Sequence, residues 1–437
     1  MDRRTAAAVV ACTLSAGGAG AADVGSRVLE ALSARPRVRV IVELREPSAP
    51  ATNLTLRNAE VGAVQANVLE GISRDDFTLT HRWQSINAFA GDVTARGLRA
   101  LLDDPDVLKV DVDPPAYADL AETAALIHAD QVRGAGVTGR GVVVAVLDTG
   151  VDTHHPDIKD SLIAEQCFCT SPSGAGCCPN GSSTQSGAGA AEDDQGHGTN
   201  VAGIITSDGR VAPQGIAPDA QIVAVKVLDA TGAGSSTSIL SGLDFIINSR
   251  PEVKVVNLSL GLANLFSGAC DSAASFTGAF ASAINTLRAR GTTLFASTGN
   301  NGNSSQIAVP ACIGNAVSVG AVYKADVGTV TFGCTDATTA PDRVTCFSNS
   351  DSQVKVLAPG APVTSAGRGG GLSTFLGTSQ ACPVAAAVAA LLLQAHPGLS
   401  PDGVEAALRN TGVSITDPKN GLSFRRIDAK AAVDSVK

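Results

Sequence analysis

The chain has 437 residues, and at roughly 150 residues per domain that is enough for two or three domains. Hydrophobic residues make up 44% and charged residues 17%, which excludes a disordered chain and a coiled coil. A net charge of -9 without any run of Lys or Arg excludes nucleic acid and anionic membrane surfaces as partners, because counterion release needs clustered cations.

In chain order, Asp2, Arg3 and Arg4 precede an Ala/Val-rich stretch from Thr5 to about Ala16 and the small residues Gly17 to Ala22. That is the order of a secretory signal peptide with a small-residue cleavage site, so export is expected. No later segment reaches the roughly 18 uninterrupted apolar residues of a membrane helix. Val384 to Gln394 comes nearest, and the mature chain is expected to be soluble. Ten cysteines fit an oxidising compartment. Loss of Cys12 with the signal leaves an odd number, so at least one thiol is expected to stay unpaired. Cys167, Cys169, Cys177 and Cys178 cluster in a Ser/Gly/Pro-rich stretch. The adjacent pair and the lack of histidines fit zinc poorly, so disulfides of open connectivity are expected there.

Arg37 to Leu44 reads as a strand, Asn58 to Ile72 as a helix, Trp83 to Thr94 as a strand pair, Ala95 to Leu102 as a helix and Val107 to Asp111 as a strand. This β-α-β-β-α-β order is that of a small ferredoxin-like unit. Pro114-Pro115 closes it, and Ala116 to Ala125 reads as an exposed, cleavable linker. From Gly141 the pattern changes. Continuous apolar runs at 141–148, 221–228, 253–260, 292–297, 316–322 and 354–358 alternate with helical patterns such as 236–248 and 277–290. Such runs are parallel strands buried on both faces, and the alternation predicts an α/β fold, a doubly wound parallel sheet with helices on both faces. Chemistry in such sheets sits at the carboxyl ends of the strands.

Asp148 ends one of these strands, His197 lies between Gly196 and Gly198 at a loop-to-helix junction, and Ser379 precedes an apolar helix. Singly these are ambiguous, since Asp caps turns and Ser caps helices. Together they supply the nucleophile, base and orienting carboxylate of acyl transfer. Asn300, at the end of another buried strand, can donate its amide to an oxyanion beside the Ser379 N–H, with the helix dipole behind. A nucleotide-binding reading lacks any G-x-G-x-x-G at a strand-helix turn.

The three segments Val144 to Gly150, Gly196 to Gly203 and Gly377 to Pro383 resemble the signatures of the subtilisin-like serine proteases, the subtilases, in the Asp, His, Ser order of that family. The resemblance covers roughly residues 119 to 437, and Arg37 to Asp113 is similar to the family's N-terminal pro-region. It implies a signal peptide at 1–22, an inhibitor-like pro-domain at 23–118 and a subtilisin-like peptidase domain at 119–437, made as a self-processed, secreted precursor. It implies Ser379 as nucleophile, His197 as general base and then acid, Asp148 as orienting carboxylate and Asn300 as oxyanion donor. Ser259, Leu260 and Gly261 match the strand that pairs with the substrate, and Ser297, Thr298 and Gly299 match the opposite pocket wall, with Ala308 near the base. None is acidic, so a broad or apolar preference is expected rather than a basic one. Protein or peptide substrates, the chain's own pro-domain as intramolecular inhibitor, a monomeric state and no catalytic cofactor are implied. The alternative is a catalytically inactive subtilase fold acting as a binding protein.

The sequence departs from the family pattern at Asn200, where a second His is usual, and at Gln380, where Met is usual. Asp157 matches a position that binds structural calcium in some relatives, but the loop that should supply the other ligands is not recognisable. The resemblance further implies a Cys270–Cys312 bridge across the pocket rim. Cys334 and Cys346 flank a hairpin loop, and Cys382 is the candidate unpaired, buried thiol.

Overall fold

The computed structural model describes residues 22–49, 53–112 and 119–436. The signal-peptide expectation, Pro114-Pro115 and the first three residues of the junction after them lie outside those residues. The chain separates into two units, Met1–Ala116 and Tyr117–Lys437.

In the first unit, strands β1 (Asp23–Val24), β2 (Val38–Leu44), β3 (Phe77–Arg82), β4 (Ala88–Val93) and β5 (Val107–Val112) form one sheet in the order β1-β5-β2-β4-β3. Helices α1 (Ser26–Ala34), α2 (Leu54–Glu70) and α3 (Ala95–Asp103) accompany it. Val38, Val40, Val42 and Leu44 alternate inward along β2 and pack with Phe89, Leu101 and Val110. Along β2 one face is buried and the other is open, so its pattern has period two. Two differences from expectation exceed two residues. Helix α2 starts four residues earlier than Asn58, because the Asn53 side chain accepts the Leu56 N–H and caps it there. The segment 83–87 is a turn rather than a strand. Its carbonyls turn to the buried Gln65 amide of α2, which donates to the carbonyls of Trp83 (2.9 Å) and Ile86 (3.3 Å), and also to that of Ala88 (2.9 Å).

The second unit opens with α4 (Asp119–Leu126) and α5 (Ala129–Gly134). The exposed linker expected up to Ala125 is therefore helical from Asp119 onward. Thr123, Ala124 and Ile127 are fully buried, so this segment adds to the core. A ten-stranded sheet follows, built from β6 (Val143–Asp148), β7 (Leu162–Phe168), β8 (Thr184–Ser186), β9 (Gln221–Lys226), β10 (Val253–Leu258), β12 (Thr293–Ser297), β14 (Val317–Tyr323), β17 (Val356–Ala361), β20 (Val413–Thr416) and β21 (Ser423–Arg426). The numbers between belong to three two-stranded ribbons, β11 (Leu265–Phe266) with β13 (Ile307–Ala308), β15 (Val330–Thr331) with β16 (Thr335–Asp336), and β18 (Val363–Gly367) with β19 (Gly371–Phe375). The order is β20-β21-β17-β14-β12-β10-β6-β9-β7-β8, antiparallel only at its two outer pairs.

Both faces are covered. Val144 and Val146 of β6 join one core with α6 (His197–Thr206), α9 (Thr378–Ala395), α10 (Pro401–Thr411) and α11 (Ala429–Ser435). Val143, Ala145 and Leu147 join the other, with α7 (Ser236–Ser249) and α8 (Ser275–Ala289). That double burial is why the strands read as unbroken apolar runs. Helix α9 has 18 residues and is apolar enough to cross a membrane by composition, which corrects the expectation that this segment is too short. Its residues are almost all buried beside the sheet, so its apolarity is that of a core helix.

The chain enters this sheet at its centre. Strands β7 and β9 are laid on one side of β6, and β10, β12, β14 and β17 on the other. The carboxyl end of β6 is thus a point where strand order reverses and a crevice opens.

Candidate active site

Asp148 is the last residue of β6 and fully buried. Its Oδ1 accepts the Thr149 N–H (2.7 Å) and lies 2.8 Å from Nδ1 of His197. His197 opens α6, with its side chain 19% exposed. The helix can come this close because Gly198 lacks a side chain, since a Cβ there would stand 2.0 Å from the Gly150 carbonyl oxygen and 3.0 Å from Cβ of Asp148. Burial disfavours the charged imidazole, but the Asp148 charge and hydrogen bond, with the Asp193 charge behind, outweigh it and raise the His197 pKa above its ordinary 6.5.

Asp193 fastens the loop in front of α6. Its Oδ1 accepts from Thr149 Oγ1 and the N–H groups of Gln195 and Gly196, all at 2.9 Å. Its Oδ2 accepts from the Thr199 N–H (3.0 Å) and hydroxyl (2.5 Å). Nothing in the sequence marks this carboxylate, because it sits in a polar loop where an Asp reads as a turn residue.

Ser379 is the second residue of α9, in the first turn, where backbone N–H groups have no intrahelical acceptor. Its carbonyl accepts from Ser259 Oγ at 2.7 Å, and that hydroxyl in turn accepts from Asn257 Nδ2 at 2.9 Å. Asn300 is oriented by Thr378, whose N–H and hydroxyl both donate to Asn300 Oδ1 at 2.9 Å. With its oxygen held there, the amide offers Nδ2 elsewhere. A Cβ on Gly377 would stand 3.2 Å from Asn300 Nδ2 and 3.5 Å from the Ser379 nitrogen. Both donors therefore border one small space that the glycine leaves open.

His197 and Ser379 line the same cavity, about 490 Å3 in volume, together with Ser259, Leu260 and Gly261. The apolar side chains of Leu228, Ala233 and Ile239 line it as well. Ser297 donates from Oγ to the Leu260 carbonyl (3.2 Å), and the Gly299 N–H donates to Thr378 Oγ1 (3.1 Å). Cβ of Ala308 stands 2.9 Å from where Gly261 would carry a Cβ and 3.3 Å from the same point on Gly299, so it lies between those two walls. Thr298 is buried, its carbonyl accepting the Ala308 N–H at 3.0 Å.

The two departures from the family pattern meet. Gln380 Nε2 donates to Asn200 Oδ1 at 3.4 Å between α9 and α6, and Asn200 Nδ2 donates onward to the carbonyl and hydroxyl oxygens of Ser373. A calcium ion does not fit at Asp157. Its Oδ1 accepts from the N–H groups of Arg210 and Val211, and its Oδ2 from those of Val211 and Ala212, so both oxygens are satisfied by backbone. The Arg210 guanidinium lies 2.9 Å from both Asp160 and Asp208 and supplies positive charge beside them.

Among the described residues, four disulfides join Cys167 to Cys178, Cys169 to Cys177, Cys270 to Cys312 and Cys334 to Cys346. Cys382 is free and buried, and burial pushes its thiol pKa up, leaving little thiolate.

Several known proteins are similar to this chain. The family described as the subtilase family matches residues 139–427. The chain is 31% identical over 364 residues to the alkaline protease of Alkalihalobacillus alcalophilus, covering 81% of this chain and 83% of that protein. It is 29% identical to subtilisin E of Bacillus subtilis, covering 79% and 80%. Among solved structures, a cold-adapted subtilisin-like serine proteinase superposes with a TM-score of 0.51 at 26% identity, covering 67% of this chain and 90% of that one. A protease from Pseudoalteromonas arctica gives 0.55 at 27%, covering 70% and 93%.

Proposed function

Since the chain belongs to the subtilase family and is a serine endopeptidase, we propose that Ser379, His197 and Asp148 form its catalytic triad and that Asn300 completes its oxyanion site. Ser379 Oγ attacks the scissile carbonyl while His197 takes its proton. His197 then returns that proton to the leaving amine, and water hydrolyses the acyl-enzyme by the same steps. Asp148, bonded at Nδ1, holds the ring with Nε2 toward the nucleophile and stabilises the imidazolium that forms. Asn300 Nδ2 and the Ser379 N–H receive the oxyanion, with the N-terminal end of the α9 dipole adding to that field. The observation that carries this reading is the 2.8 Å Asp148–His197 contact opening into the cavity that Ser379 shares.

Substrate backbone pairs along Ser259, Leu260 and Gly261, and the substrate residue before the scissile bond enters between that strand and Ser297, Thr298 and Gly299. The Ala308 floor and the absence of a carboxylate among these walls favour apolar or medium-sized residues. The first unit acts as an inhibitor removed by self-cleavage before a secreted monomer is released. A fluorophosphonate probe should label the wild type at Ser379 and fail to label Ser379→Ala. Labelling that persists in the variant overturns the assignment. Ser379→Ala should also accumulate the uncleaved precursor in a host without other proteases, and a variant secreted already cut would rule out self-processing.

A further inference from the structure

Lys226 is a fully buried cation that the proposed chemistry does not use. It ends β9, in register beside Asp148 of β6. A buried ammonium is costly unless each of its hydrogens finds an acceptor. Here Nζ donates to the Thr149 carbonyl at 2.7 Å, to Asp194 Oδ1 at 2.6 Å and to the Leu228 carbonyl at 2.9 Å. An ammonium has three donors and all three are matched.

The acceptors belong to three separate parts of the site. Thr149 is the residue whose N–H holds Asp148 Oδ1 and whose hydroxyl accepts the Gly198 N–H at 2.9 Å, next to His197. Asp194 belongs to the loop that leads into α6, and its own carbonyl accepts from Arg368 at 2.7 Å. Leu228 lines the substrate cavity. One side chain therefore fixes the strand end that carries the carboxylate, the loop that delivers the imidazole and one wall of the cleft. The Asp148 carbonyl closes the arrangement by accepting the N–H groups of Val227 (2.8 Å) and Leu228 (3.2 Å), directly after the lysine.

We infer that Lys226 is a positioning residue for catalysis, setting the distance between Asp148 and His197 through Thr149 and Asp194. It touches no substrate. The inference rests on the triad assignment above, which loss of labelling in Ser379→Ala checks separately.

The test uses the full chain and compares Lys226→Met with the wild type in three measurements: the rate constant of fluorophosphonate labelling, kcat and KM for a peptide, and Tm. Labelling needs the base and the nucleophile but little of the extended substrate site. Labelling rate and kcat should fall together by at least about ten-fold with KM within about two-fold, because small misplacements of reacting groups cost rate steeply. A merely structural lysine would lower Tm and leave both rates of the folded enzyme unchanged, and that result overturns the inference, as does a rise in KM alone. Should Lys226→Met fail to fold, Asp194→Asn removes the charge of the half-exposed partner. It should then lower the same two rates about two- to five-fold, the scale of one weakened hydrogen bond, and unchanged rates would overturn the inference equally.

Discussion

The mouths of α6 and α9 are both helix N-termini facing one cleft, yet they are built from different chemistry. In front of α6 stand charges, with Asp148 and Asp193 holding the loop and His197, and Lys226 tying that loop to the strand end. Around α9 the holding groups are neutral. Thr378 orients Asn300, Ser259 holds the Ser379 carbonyl, and Gln380 meets Asn200. On the proposed roles, the difference follows from what each mouth must stabilise. A ring that becomes a cation gains from carboxylates, whereas a site that receives an oxyanion would be opposed by them.

Replacing groups across that divide should hurt in a definite order. Ser379→Ala should lower kcat by about 10^4- to 10^6-fold, a scale known from subtilisin-type triads and not deduced from this geometry. Asp148→Asn keeps the shape of the charged mouth but lets the ring take the wrong tautomer, and should cost about 10^4-fold in kcat. Asn300→Ala should cost about 10^2- to 10^3-fold in kcat, a range established on the corresponding amide of subtilisin, with KM little changed. Asn300→Asp, which brings a carboxylate to the neutral mouth, should be slower still. An aspartate variant as fast as the alanine one would show that charge at this mouth does not matter. The mildest case is Gln380→Glu, expected to lower kcat about ten-fold at neutral pH, with the deficit relative to the wild type at the same pH shrinking on acidification as the new carboxyl is protonated. A pH-independent deficit would assign the loss to packing.

The two mouths were also unequally legible in the sequence. Asp148, His197 and Ser379 stood out because each lies in a short motif at a strand or helix end, and the paired faces of β6 made the sheet readable as unbroken apolar runs. The supports were not legible. Lys226 looks like a single exposed position in an otherwise apolar strand, and only its three converging acceptors show that it is buried. A lone lysine in a strand buried on both faces was the available signal. Thr378 reads as a helix-start residue until Asn300 is found beside it. In the first unit, Gln65 took the carbonyls of 83–88 and converted an expected strand into a turn, a tertiary contact that no local pattern contains. The nested pairing of Cys167 with Cys178 and Cys169 with Cys177 was likewise undecidable from spacing alone.

The central claim is that His197 is the base and that Asp148 sets its proton affinity, and the acid limb of kcat/KM tests it most directly. Only neutral His197 can take the Ser379 proton. Its pKa is raised, so activity should be complete above that raised value and lost as pH falls through it, with a midpoint above 6.5. In Asp148→Asn the larger raising charge is gone while burial and the weaker Asp193 charge remain, so the midpoint of the residual activity should move down. A wild-type profile flat down to about pH 4.5, well under the ordinary histidine range, or a midpoint that stays put in Asp148→Asn, would contradict the account.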